Sequence, residues 1–92
     1  MKVEYAFESA RARVYLPTFG ETWFSVSQRM TTREFLDEIK SQDPHVEEVH
    51  IVDEKFRELS NEDSQELYAM LTDHHKHIYL KINENVHQIE NV

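Results

Sequence analysis

Cysteine is absent from this chain, which excludes a disulfide framework, a zinc ribbon and a thiol nucleophile, and leaves the redox compartment open. Glycine occurs once and proline twice, so there is no glycine-rich phosphate loop and no flexible linker. Basic charge is scarce: ten Lys and Arg stand against eighteen Asp and Glu, a net charge of −8 that repels nucleic-acid phosphates and anionic lipid heads. Nucleic acid is therefore not expected as a partner; cations or basic protein surfaces fit better. No apolar run approaches the roughly 20 residues needed to span a bilayer. Nor is there a G-x-S-x-G elbow, an EF-hand loop, or an acid–base pair at a meaningful spacing, so no enzymatic activity is expected.

What is present suits one small folded domain over residues 1–92, of a size that buries roughly 60–65% of its unfolded surface. The 39% hydrophobic content, with five Phe, four Tyr and one Trp, is too high for a disordered tail. Met1-Lys2-Val3 runs straight into a strand-like pattern without a signal or transit sequence, which points to a cytosolic protein or to a targeting segment lying outside the chain.

The strongest local signal lies between Met30 and Pro44. Thr31 and Glu34 have the spacing of a capping box, and Met30 and Phe35 that of a hydrophobic staple. Phe35, Leu36 and Ile39 share one face, Arg33, Glu34, Asp37, Glu38 and Lys40 cover the other, and Asp43-Pro44 ends the helix. Strand-like alternation lies on both sides of it. Val3, Tyr5 and Phe7 form one run, Glu8-Ser9-Ala10 reads as a turn, and Ala12, Val14 and Leu16 form a second run. Thr18 to Glu21 holds the single glycine, a φ > 0 position between antiparallel strands, and Trp23 to Ser27 is the return strand with Phe24 and Val26 inward.

Val46, Val49 and Ile51 mark a further strand whose pairing direction is open. In the charged connection Asp53–Ser60, Phe56 and Leu59 are the apolar anchors. A second helix is expected from Asn61 or Asp63, capped by Asp63-x-x-Glu66 and burying Leu67, Met70 and Leu71. Ile78, Leu80 and Ile82 give the clearest strand, and Val86 and Ile89 a weaker last one. The order implies an α+β fold, a β-grasp-like (ubiquitin-like) mixed sheet packed on one main helix with a second short helix. Its core should contain Val14, Leu16, Phe24, Val26, Phe35, Leu36 and Ile39 from the first half. Val49, Ile51, Leu67, Leu80 and Ile82 should supply the rest.

Three groups of residues have chemical content. His74, His75 and His77 can offer two imidazoles on one side of an extended segment, but two nitrogens do not close a tetrahedral zinc site, and a solvated loop is the simpler reading. Acidic residues recur at Glu47, Glu48, Asp53, Glu54, Glu58, Glu62, Asp63 and Glu66, where oxygen ligands suit weak Mg²⁺ or Ca²⁺ binding or simply make a solubilising face. Trp23, expected on the strand face opposite Phe24 and Val26, marks a contact surface if exposed. Arg11 and Arg13 on the neighbouring strand are either an ion-pair patch or ordinary surface.

In order and spacing these residues resemble the matrix-facing N-terminal domain of the mitochondrial calcium uniporter pore subunit. The resemblance runs through Val3-x-Tyr5, Leu16-Pro17 followed by Thr18, Glu21 followed by Phe24-Ser25-Val26, and Phe35-Leu36. It continues through Asp43, Val46-Glu47-Glu48-Val49-His50-Ile51 and Leu80-Lys81-Ile82-Asn83. It implies a non-catalytic β-grasp-like module on the matrix side of the inner membrane. Such a module self-associates with other channel subunits, meets the channel's regulatory proteins, and modulates uptake through an acidic patch sensitive to Mg²⁺ and Ca²⁺. No tightly bound cofactor is implied, and contact with the membrane comes only through transmembrane helices downstream of the domain.

Carried over, Asp53 or Glu54 and Asp73 stand for the patch carboxylates, and Thr18 stands where the family has a candidate phosphorylation serine. The chain departs from the family in three places: Asp53-Glu54-Lys55 lacks the glycine of a Pro-Asp-Gly turn, Glu47-Glu48 replaces an Asp-Arg pair linked to contacts between assemblies, and Trp23 replaces a vertebrate cysteine. This marks a divergent member in which Trp23, Glu47 and Glu48 are the candidate interaction residues. The competing reading is a cytosolic ubiquitin-like interaction domain that docks a basic partner through its acidic face. Conjugation is set aside because Glu90-Asn91-Val92 is no diglycine tail.

Overall fold

Small and branched apolar residues at every second position turn one face of strand β1 (Ser9–Leu16) inward: Ala10, Ala12, Val14 and Leu16 are buried, while Ser9, Arg11 and Tyr15 are exposed. A computed structural model describes residues 9–59, 64–73 and 75–91. Strand β2 (Gly20–Ser27) returns antiparallel beside β1, with Ala10 opposite Val26, Ala12 opposite Phe24 and Leu16 opposite Gly20. The connection is Pro17-Thr18-Phe19, after which Gly20 takes φ +72°, the left-handed position that a three-residue hairpin loop needs.

Helix α1 (Thr32–Gln42) starts as its sequence demands. The Thr31 hydroxyl accepts from the Glu34 N–H at 3.1 Å, and Glu34 Oε1 accepts from the Thr31 N–H at 2.9 Å. Glu34 in the first turn and Lys40 in the last complement the helix dipole. Replacing Thr31 by alanine is expected to cost about 1 kcal/mol in urea unfolding, with Thr31→Ser close to wild type. A Thr31→Ala protein as stable as wild type would show that the box does not hold the helix start.

The chain then lays down β3 (Val49–Val52), α2 (Ser64–Thr72), β4 (Tyr79–Ile82), β5 (Asn85–Gln88) and β6 (Glu90–Asn91). The strands form two three-stranded sheets, in the orders β2-β1-β6 and β3-β4-β5, and every pairing among these strands is antiparallel. The fold is α+β. The strands expected as one sheet are thus divided in two, and β3, whose direction the sequence left open, runs antiparallel to β4. Helix α1 packs against β3 and α2, and α2 packs against β1 and β6, so the core lies where both helices meet both sheets. Each of the expected core residues is buried, joined by Ala10, Ala12, Val46, Val52, Leu59, Leu71, Ile78 and Ile89.

Four local expectations are corrected. Ser9-Ala10 is not a turn but belongs to β1, because Ala10 continues the inward alternation and pairs with Val26. Phe56 is no anchor: it is 70% exposed with φ 61°, in a tight turn built by the Asp53 carboxylate, and Leu59 alone holds that connection to the core. Met70 is half-buried at the margin of the core rather than within it. Val46 is buried ahead of β3 rather than within it. The run Val3–Phe7, the expected helix start at Asn61–Asp63 and His74 lie outside the described residues.

Candidate functional site

The outer face of the β1–β2 hairpin carries an aromatic residue among cations. Trp23 stands directly across from Arg13, and Arg11 lies two residues away on the same face of β1. Trp23 is 42% exposed, with the Arg11 guanidinium carbon 4.5 Å and the Arg13 guanidinium carbon 5.9 Å from its ring centroid. The two arginines differ in what else they touch. Arg13 bonds Glu90 of β6 and has Glu21 of β2 at 3.5 Å, so it ties the three strands of its sheet together. Arg11 has no ion pair among the described residues. Trp23 is therefore where the alternation of β2 put it, on the open side of the sheet.

Glu47 and Glu48 lie at the other sheet. Their backbone N–H groups both donate to Asn83 Oδ1, at 3.0 and 3.1 Å, and the Asn83 amide donates to the His45 carbonyl. Asn83 itself takes φ 55° in the β4–β5 turn, a conformation asparagine tolerates. The clamp fixes the backbone before β3, and both carboxylates remain exposed. Glu48 and Glu58 approach the two ring nitrogens of His50 at 3.8 and 3.6 Å. This edge is acidic, whereas the hairpin face pairs Trp23 with Arg11, a cation that has no ion pair among the described residues.

Of the three candidate metal carboxylates, Asp53 and Glu54 line one cleft together and Asp73 is not brought to them. Asp53 Oδ1 accepts from the N–H groups of Lys55 and Arg57, and Oδ2 from the Arg57 guanidinium at 2.9 Å. The Arg57 backbone donor is the main cause that holds the Asp53 carboxyl below its ordinary range; burial opposes it, and Lys55 and the Arg57 charge reinforce it. Asp73 uses Oδ1 to accept from the His75 N–H and lines a different cleft from Asp53, while Lys76 and His77 line both clefts. Among the described residues no three His, Asp or Glu side chains cluster as metal ligands. His75 and His77 are exposed, and His77 Nδ1 meets the Gln88 amide nitrogen at 2.9 Å.

One constellation was missed in the sequence. Asp43, at the end of α1, is fully buried and receives the Thr18 N–H at 2.8 Å on one oxygen and the His45 N–H at 2.9 Å on the other. Thr18 is exposed, and its hydroxyl meets His45 Nδ1 at 2.5 Å. A hydroxyl, an imidazole and a carboxylate thus adjoin, but the Thr18 oxygen and the Asp43 oxygen (3.9 Å) both approach the same ring nitrogen. A nucleophile–base–orienter relay needs opposite nitrogens, so the group is a structural clasp. Only the helix-ending role of Asp43-Pro44 was visible locally; its partner Thr18 is far away in the chain.

Among the described residues, no helix is long and apolar enough to cross a membrane. Comparison with protein-family models, with curated proteins and with solved structures finds no match.

Proposed function

We propose that the chain is a non-catalytic regulatory and assembly domain of a mitochondrial calcium channel, of the kind its sequence resembles, on the matrix side of the inner membrane. Its subunit contact is the outer face of the β1–β2 hairpin. The observation that supports this reading is Trp23, left exposed beside Arg11 on a chain of net charge −8. Tryptophan and arginine are the residues most enriched where interfaces concentrate their binding energy. Arg11 beside Trp23 is a cation with no ion pair among the described residues, and the Glu47–Glu48 edge is acidic, so identical domains can join head to tail, one presenting each surface. Divalent cations act in this reading on the diffuse acidic surface, by relieving repulsion between copies.

Sedimentation velocity tests it. Trp23→Ala is expected to weaken self-association at least about 10-fold, since a central interface tryptophan typically carries about 2 kcal/mol or more. Arg11→Glu should weaken it too, and mixing that protein with a Glu47→Lys, Glu48→Lys variant should restore hetero-association. Millimolar Mg²⁺ or Ca²⁺ should shift association further than KCl of equal ionic strength. A wild-type chain that stays monomeric at all accessible concentrations, or variants that associate like wild type, would refute the assembly role of this face.

A further inference from the structure

The cleft of about 470 Å³ between the 53–59 connection and the 75–77 segment gathers three of the chain's ten basic residues. It is lined by Lys55, Arg57 and Lys76, with His75 and His77 beside them, in a chain where acids outnumber bases almost two to one. Two acidic residues also line it, and they are not equivalent. Asp53 has both oxygens turned into its own turn, holding two backbone N–H groups and the Arg57 side chain. Glu54 is exposed and has no such partners among the described residues.

We propose that this cleft binds a small, multiply charged phosphate-bearing anion. Arg57 meets Asp53 through Nε and one terminal nitrogen on a single oxygen, Oδ2, and its other terminal nitrogen has no partner among the described residues. Lys55 and Lys76 come from two separate segments that line the cleft, so an anion bound there can draw on more than one loop. The exposed His77, whose Nδ1 lies 2.9 Å from the Gln88 amide nitrogen, lines the cleft beside them. Leu59 and Met70 add apolar lining, suited to the organic body of a phosphate ester. Asp53 acts here as a positioning residue, shaping the turn that presents Lys55 and Arg57.

The inference is independent of the assembly reading, because the cleft shares no residue with the hairpin face. Inorganic pyrophosphate is the probe, titrated into the 92-residue chain while amide resonances of residues 53–57 and 75–77 are followed by NMR. Saturable shifts confined to these segments are expected, with affinity at least 10-fold weaker in a Lys55→Gln, Lys76→Gln variant. Glu54→Gln should bind severalfold more tightly, since it removes the opposing charge, while Lys81→Gln on β4, outside the cleft and the hairpin face, should bind like wild type. Mg²⁺ alone should give no saturable shift in these segments. Shifts that rise linearly and match those of KCl at equal ionic strength would overturn the proposal. So would affinity unchanged in the double-lysine variant, equal loss in Lys81→Gln, or saturation by Mg²⁺ alone.

Discussion

Replacing Phe35 by alanine is expected to cost about 3–5 kcal/mol, a large share of the ~5–15 kcal/mol that holds a domain of this size together. The ring is fully buried on the inner face of α1 and meets the edge of Phe24 from β2 at a centroid distance of 5.7 Å and an interplanar angle of 82°. That contact joins the main helix to the hairpin, so truncation removes both the transfer energy of the ring and an edge-to-face pair, and leaves a cavity bordered by two elements. Urea unfolding followed by circular dichroism should show a large fall in midpoint with an unchanged slope. Phe19→Ala and Phe56→Ala are the internal controls: at 60% and 70% exposure they should change stability by no more than about 0.5 kcal/mol. Phe24→Ala should be non-additive with Phe35→Ala, because each removes half of the same contact. A Phe35→Ala protein that unfolds with the midpoint of Phe19→Ala would mean that the core does not pass through α1.

The contrast among the phenylalanines shows how far the sequence could be read. Phe24 and Phe35 sit in segments with a definite period, and period plus cap determined which way they face. Phe56 sits in a connection without period, where its direction depends on a turn organised by Asp53. That residue's neighbours, Lys55 and Arg57, give no sequence signal that their backbone N–H groups will close on one carboxylate. Ser9-Ala10 was misread for a related reason: a small residue such as Ala10 carries little hydrophobic signal, and only its partner Val26 across the hairpin shows that it belongs to a strand.

The candidate site was legible in part. Exposure of Trp23 followed from alternation along β2, since Phe24 and Val26 had to face inward. The metal reading of Asp53, Glu54 and Asp73 came from the family resemblance and from counting acids, and neither says where lone pairs point. In the fold Asp53 spends its oxygens on its own turn, and Lys76 and His77 line both clefts. The basic character of the 53–59 cleft was hidden because Lys55 and Lys76 are distant in sequence and each is surrounded by acids or histidines locally. Tertiary contact, not local composition, sets the sign of the charge there.

Asp43 is the polar residue whose loss should matter most, and its effect should depend on pH in a defined direction. Burial pushes its carboxyl up, but hydrogen bonds from the backbone of His45, from the backbone and side chain of Thr18, and from the backbone of Phe19 outweigh this and hold it below its ordinary value of 3.8. A depressed carboxylate contributes stability that is fully present above its unfolded value and is lost as pH falls through its lower, folded value. Asp43→Asn keeps the shape but replaces one accepting oxygen by an NH₂ group, which would face the N–H of Thr18 or His45 donor to donor. At pH 7 the variant should therefore melt well below wild type. It should also melt below Asp53→Asn, whose broken bonds all lie within one turn, whereas Asp43 ties the hairpin loop to the end of α1. On acidification below about pH 4, wild type should lose stability through this group while Asp43→Asn does not, so the two melting curves should converge. Exchange of the Thr18 amide, protected in wild type by the Asp43 oxygen, should accelerate in Asp43→Asn at neutral pH. Parallel melting temperatures for the two proteins across the acid range, or an unchanged Thr18 exchange rate, would show that the charge on Asp43 does not clasp the hairpin to the helix.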